Sequence, residues 1–133
     1  MKVVLSIKPE FANKIFAGTK KFEFRKAIFK NDKIKTVIVY ASSPVQKVIG
    51  EFEIEKIINK DIDCLWELTQ HFSGITEDYF YQYFANREEG FAIQIRKTKK
   101  YRQPKCLRAD YNLFPPQSFA YYLKPQKVGV EGL

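Results

Sequence analysis

Apolar and polar residues change their spacing several times along this chain, and each change marks the boundary of a predicted element. Five segments alternate with a period of two or run continuously apolar, as strands do: Val3–Ile7, Phe22–Phe24, Thr36–Ala41, Val48–Ile58 and Gly90–Arg96. Three segments have helical spacing or helix-capping residues: 9–17, Asp61–His71 and Thr76–Phe84. The tail from Lys97 mixes strand-like and loop-like pieces. Because strands dominate without βα alternation, the pattern predicts an α+β fold, a small mixed, mostly antiparallel β-barrel with flanking helices.

Three residues give this prediction local detail. Pro9 suits the first position of a helix, where its missing N–H costs nothing, and Gly18 supplies the C-terminal stop. Gly50 lies inside a predicted strand, which indicates a bulge or a close approach of backbone.

The strand around Phe22 has the clearest division between its two faces. Because alternate residues of a strand share a face, Phe22 and Phe24 point one way, and Lys21, Glu23 and Arg25 point the other. A buried apolar pair behind an ordered row of charges favours a preformed polar site. We therefore place the candidate site on this strand.

The composition is that of a folded domain. Of the 133 residues, 45% are hydrophobic and 16% aromatic, which argues against disorder, and we predict one domain spanning residues 1–133. No apolar run approaches the roughly 20 residues that span a bilayer. A strand pattern begins directly after Lys2, which leaves no room for a signal peptide. These features predict a cytoplasmic protein, and we expect a monomer.

Charge is segregated along the chain. The net charge of +8 divides into +7 for residues 1–60, −6 for residues 61–90 and +7 for residues 91–133. Segregation of this kind predicts a basic face that attracts polyanions such as nucleic acid. The alternative is that the lysines only keep the protein soluble.

Several kinds of chemistry have no support in the sequence. His71 is the single histidine, and a place on a helix surface or in the core suits it better than a catalytic role. Cys64 and Cys106 have no motif spacing, so we expect buried free thiols in a reducing cytosol. No paired Cys or His motif indicates a metal, and no glycine motif indicates a nucleotide cofactor. We predict neither metal nor cofactor.

Several short motifs occur in order and with sensible spacing across nearly the whole chain: Leu5–Lys26, Val39–Pro44, Val48–Phe52, Gly90–Ile95 and Pro115–Phe119. Together they resemble the ASCH domain, a family of the PUA-like superfamily. The resemblance implies a PUA-like β-barrel of five or six strands with a cleft beside the first helix. It also implies binding of nucleic acid, RNA in the first instance, and a regulatory role.

The resemblance implies a cleft whose floor is the charged strand and whose walls are the turns at Ser6–Lys8, Gly18–Lys20 and Ser42–Pro44. The residues expected to contact nucleic acid are Ser6, Lys8, Lys20, Lys21, Glu23, Arg25 and Ser42. An arginine here can grip a phosphate or a base edge with two parallel N–H bonds, and lysines supply point charge. Tyr40 or a tail tyrosine would stack on an unpaired base, although Tyr40 suits the core better.

An enzymatic alternative comes from one branch of ASCH-like proteins, the amidohydrolases of acylated cytidine nucleosides. Lys20 matches the lysine of that branch, whereas Glu23 occupies the position of its threonine. The expected glutamate falls near Ser73-Gly74, and Glu77 is the nearest substitute. The sequence thus leaves open a related reaction that uses Lys20 and Glu23.

A third hypothesis is a protein-interaction module that uses the tyrosines of the third predicted helix. Tyr79, Tyr81 and Tyr83 stand at i, i+2 and i+4, so they do not all share one face of a helix. An exposed apolar patch would favour this hypothesis.

Overall fold

The computed structural model describes residues 1–125, and the last eight residues of the predicted domain lie outside the described residues. The elements follow in the order β1 (Lys2–Ile7), α1 (Pro9–Ala17), β2 (Phe22–Arg25), β3 (Thr36–Ala41), β4 (Lys47–Asp61), α2 (Ile62–Thr69), a 3-10 turn (Gln70–Phe72), α3 (Glu77–Tyr83), β5 (Glu89–Lys105), α4 (Leu107–Tyr111) and β6 (Phe119–Tyr122). No helix within residues 1–125 is long and apolar enough to cross a membrane.

The six strands form one mixed sheet in the order β2-β5-β4-β3-β1-β6. Strands β1 and β3 are parallel, and the other neighbouring strands are antiparallel. The α+β class and the mixed sheet are confirmed, but closure into a barrel is wrong. Within residues 1–125 the edge strands β2 and β6 have no ladder between them, because the side chain of Arg25, and not backbone, joins β2 to the carbonyls of Ser6 and Ser118.

The predicted helices are confirmed, and capping residues explain where they begin and end. Helix α1 ends at Gly18, whose φ of 84° is the left-handed conformation that glycine tolerates best. The side chains of Asp61 and Thr76 each accept a backbone N–H from the first turn of α2 and α3. Helix α2 ends at Thr69, and the 3-10 turn replaces the remainder of the helix predicted to reach His71.

Strands β4 and β5 are longer than predicted. Strand β5 continues through the basic tail, where its side chains are mostly exposed, so apolar alternation does not mark it. The predicted irregularity at Gly50 is confirmed, since the β4–β5 register shifts there. Helix α4 is absent from the prediction because its five residues carry only one buried side chain, Leu107.

Three apolar clusters hold the helices on the sheet. Helix α1 packs Ala12 and Ile15 against β1 and β3, and α2 and α3 cover β2. A third cluster joins the sheet to α4 and contains Tyr40, whose predicted place in the core is confirmed. Burial of Phe22 and Phe24 is likewise confirmed.

The two cysteines are free thiols, as predicted, but they are half-buried rather than buried. Their places at helix starts explain the difference. Cys64 lies in the first turn of α2, and the Cys106 Sγ accepts the backbone N–H of Ala109 at 3.4 Å as the N-cap of α4.

Substitution of Gly50 by alanine should destabilise the protein. A Cβ there would lie 2.6 Å from the backbone oxygen of Lys99 and 2.6 Å from the ring of Phe16. We expect a loss of ~1–3 kcal/mol in the free energy of unfolding, the usual cost of overpacking, measured by urea denaturation. An unchanged midpoint would show that β4 and β5 separate at the bulge without cost.

Candidate functional site

A cleft of about 210 Å³ opens beside α1, where the sheet remains open. It is bounded by the end of β1, the start of α1, β2, α3 and the segment before β6. Its lining residues are Ser6, Ile7, Lys8, Phe11, Lys20, Glu23, Phe24, Arg25, Ile75, Tyr79, Tyr83 and Gln117. Three cationic side chains and one carboxylate therefore share a small space with aromatic rings.

Arg25 joins the two edges of the sheet. Its Nη1 donates to the backbone oxygen of Ser6 at 3.3 Å, and its Nη2 donates to that of Ser118 at 2.6 Å. Nη1 also lies 3.4 Å from Oε2 of Glu23. The pairing of β1 with β6 stops at Leu5, so the carbonyl of Ser6 lies past the ladder and accepts from the guanidinium. A side chain thus spans the opening that a closed barrel would fill with backbone.

The segment before β6 is fixed to the cleft at two points. The hydroxyl of Ser6 donates to the backbone oxygen of Pro116 at 2.7 Å, and Arg25 holds Ser118. Gln117 lies between these anchors and lines the cleft. Its amide is a hydrogen-bonding group whose position is set by its neighbours.

Lys20 lies on the floor of the cleft and is only 2% exposed. Its Nζ donates to the backbone oxygen of Ser73 at 2.7 Å and lies 4.0 Å from Oε1 of Glu23. The same atom lies 4.9 Å from the ring centroid of Phe24 and 5.3 Å from that of Phe11. The ammonium is therefore stabilised by one carbonyl, one carboxylate and two aromatic faces.

Burial is the main cause that lowers the pKa of Lys20 from 10.5 to about 8. The negative charge of Glu23 raises this pKa, and the positive charge of Lys14 lowers it further. About a tenth of the amine is then neutral at pH 7. The group can hold or accept a proton in the physiological range.

Gly74 leaves room for the side chain of Lys20. Its φ is +70°, and a Cβ on it would lie 2.5 Å from the Cβ of Lys20. Its carbonyl accepts from Lys14 Nζ at 3.0 Å. The turn after the 3-10 segment therefore shapes the floor of the cleft, with Ser73 supplying the acceptor and Gly74 the space.

One wall of the cleft is aromatic. Tyr79 and Tyr83 are four residues apart on α3 and both line the cleft, whereas Tyr81 points elsewhere and hydrogen-bonds to another helix. The ring of Tyr79 meets that of Phe11 edge-on at 5.2 Å, and Lys8 Nζ lies 5.3 Å from its centroid. Tyr81 therefore does not share a face with Tyr79 and Tyr83, as predicted from their spacing.

Five of the predicted site residues line the cleft: Ser6, Lys8, Lys20, Glu23 and Arg25. Lys21 and Ser42 lie outside its lining. The Lys21 ammonium stands 4.4 Å from the ring of Phe72, and the Ser42 hydroxyl donates to the backbone oxygen of Ile7 at 3.4 Å. Since β3 pairs with one edge of β1 and the cleft opens along the other, the Ser42 loop does not form the predicted wall.

Two other predictions can be compared with the geometry. Glu77, the substitute carboxylate of the enzymatic alternative, is exposed at the start of α3 and does not line the cleft. Gln117 was not predicted as a site residue, because a glutamine in a turn carries no signal of the long-range contacts that place it. Within residues 1–125, no group of three His, Cys, Asp or Glu is arranged to hold a metal ion.

The lowered pKa of Lys20 should be visible by NMR. In a side-chain titration we expect one lysine to titrate near pH 8. Its signal should be missing from Lys20→Met and present in Lys33→Met, which replaces an exposed loop lysine. Between pH 8 and 10.5 the unfolded chain binds more protons at this group than the folded one, so its contribution makes the fold more stable as pH rises, by up to about 3 kcal/mol. Titration of every lysine above pH 10 would contradict the burial argument.

Comparison with known proteins agrees with this architecture. The chain is 32% identical over 130 residues to an ASCH domain-containing ribonuclease of Zymomonas mobilis. The aligned region covers 94% of this chain and 86% of that protein. It is 35% identical over 123 residues to the ATP synthase subunit alpha of Ureaplasma parvum, covering 92% of this chain but only 15% of that protein.

Structural comparison gives the same relationship. The crystal structure of ASCH from Zymomonas mobilis superposes with a TM-score of 0.84 and 31% sequence identity, covering 92% of this chain and 88% of that one. The family model of the ASCH domain matches residues 5–103. This chain belongs to the ASCH domain family.

Proposed function

We propose that this protein binds single-stranded RNA and holds one nucleotide of it in the cleft. The relative named as a ribonuclease links the family to RNA. The observation that carries the proposal is the combination, in one cleft, of an aromatic wall with the cations Lys8, Lys20 and Arg25. Proteins read unpaired RNA by stacking bases on aromatic rings while cations hold the phosphates.

The size of the cleft favours a single nucleotide. At about 210 Å³ it is smaller than the ~300–1,000 Å³ typical of pockets for drug-sized ligands. A base or a nucleoside is a suitable occupant, and a base-paired duplex is not. Unpaired RNA is therefore a better ligand than double-stranded nucleic acid.

Four of the lining residues have roles in this proposal. Lys8 stands at the rim beside Tyr79 and supplies charge for a phosphate. Tyr79 offers its ring to a base, and the Gln117 amide can donate to or accept from a base edge. Arg25 keeps the cleft open to ligand by holding the backbone on both sides.

Fluorescence anisotropy with labelled oligo(U) tests this proposal. We expect Lys8→Ala to weaken binding several-fold and to reduce the salt slope by about 0.7, the value for one phosphate contact on a single strand. Tyr79→Ala should weaken binding by ~1–3 kcal/mol through loss of stacking. Lys33→Ala removes the same charge from an exposed loop position and is the matched control.

Two results would overturn RNA binding through the cleft. One is an affinity for oligo(U) that Lys8→Ala and Lys33→Ala lower equally, because only net charge would then matter. The other is tighter binding of duplex RNA than of oligo(U), since a duplex does not enter a cleft of this size.

A second candidate is a hydrolytic function, favoured by the buried Lys20 with Glu23 at 4.0 Å. In its neutral form the Lys20 amine can take a proton from an attacking hydroxyl. In RNA cleavage, the 2′-oxygen would then bond to phosphorus, the P–O5′ bond would break, and the 5′-oxygen would leave with a proton. In an acylated cytidine, water would attack the acyl carbon, the C–N bond would break, and the cytidine nitrogen would leave with the proton taken from the water.

The hydrolytic function predicts that Lys20→Met abolishes turnover while Lys21→Met, at the neighbouring position outside the cleft, retains it. The assay follows oligo(U) and N4-acylated cytidine by chromatography, with and without EDTA. Glu23→Gln should lower the rate and shift its pH profile, because the charge of Glu23 raises the pKa of Lys20. Turnover that survives Lys20→Met would exclude Lys20 as the base.

A further inference from the structure

The proposed RNA binding leads to a second site, and the inference below rests on it. We infer that RNA leaving the cleft passes over Phe114 and Arg108, where a second unpaired base stacks. The occupant is the same single-stranded RNA, several nucleotides away from the one in the cleft.

Phe114 and Arg108 form a preassembled stacking surface. Phe114 is 71% exposed, and the guanidinium carbon of Arg108 lies 4.7 Å from its ring centroid. The Nη1 of Arg108 donates to Oδ1 of Asn112 at 2.8 Å, which fixes the direction of the guanidinium. An exposed ring beside an oriented arginine offers a base both a π-face and a positive charge.

This surface is connected to the cleft by a short, anchored segment. Phe114 precedes Gln117 by three residues, so their Cα atoms are at most about 11 Å apart. Pro116 and Ser118, on either side of Gln117, are held by Ser6 and Arg25. With a rise of about 3.4 Å per stacked nucleotide, some three nucleotides cover that distance.

Cations extend this surface along β5. Lys100, Arg102 and Lys105 are exposed on the part of β5 that leads into α4, and none has a carboxylate within 4.0 Å among residues 1–125. These side chains place positive charge on the end of β5 that leads into the helix of Arg108, where a phosphate backbone would need it.

Binding of oligonucleotides of two lengths tests the inference. The dinucleotide rU2 reaches only the cleft, and rU10 reaches both sites. We expect Phe114→Ala to weaken rU10 about 5- to 150-fold and to leave rU2 unchanged, because one stacked base contributes ~1–3 kcal/mol. Phe114→Tyr should restore rU10 binding. Arg108→Gln should weaken rU10 and reduce its salt slope by about 0.7.

Two controls separate this effect from general changes in the surface. Leu123→Ala removes another exposed apolar side chain, 66% exposed, and Lys33→Gln removes one exposed charge. Both should bind rU10 as the wild type does. Circular dichroism of each variant should be unchanged, since Phe114 is not part of the apolar clusters.

The possible failures are distinguishable. If Phe114→Ala weakens rU2 and rU10 equally, the segment only positions Gln117 and the second site does not exist. If rU10 binds no better than rU2, the inference is overturned while cleft binding stands. If the wild type binds neither RNA, the proposed function falls as well. Loss of binding to anionic lipid vesicles on Arg108→Gln, with rU10 binding intact, would assign the surface to membranes instead.

Discussion

The guanidinium of Arg25 is the contact on which the arrangement of the cleft depends. A sheet of six strands that does not close leaves two edges, and exposed edges invite pairing with other chains. Arg25 crosses from β2 to the carbonyls of Ser6 and Ser118, so one side chain replaces a backbone ladder. A charged donor satisfies both carbonyls and leaves space beside them. The opening remains a cleft because a single side chain, and not a strand, crosses it.

Lys20 shows that this space is not optimised for stability alone. Burying an ammonium costs several kcal/mol before its partners compensate, and well-packed apolar residues often replace a buried ion pair without loss. The chain instead surrounds Lys20 with Glu23, the Ser73 carbonyl and two rings, and a glycine at position 74 leaves room for its stem. A costly group with this much local support is typical of a functional site.

The sequence predicted the local elements better than the assembly. The two-residue period around Phe22, the cap at Thr76 and the stop at Gly18 depend on neighbouring residues, and each is confirmed. Closure of the sheet depends on which edges meet, which local periodicity does not encode. The same contrast applies to the residues of the cleft. Strand alternation predicts the positions of Glu23 and Arg25. Gln117 is placed in the cleft by hydrogen bonds of its neighbours Pro116 and Ser118 to residues more than 90 positions away in sequence, which local patterns do not show.

The acidic and the basic segments of the chain carry their charges for different physical reasons. In the acidic segment, Asp61 caps α2, Asp63 follows in its first turn, and Glu77 and Asp78 occupy the first turn of α3. Carboxylates there stabilise the positive ends of helices, so the fold itself explains them. The exposed cations at the end of β5 are not at helix ends in this way, and they have no carboxylate within 4.0 Å among the described residues. Their charge is therefore available to an anionic ligand, as the proposed binding of RNA requires.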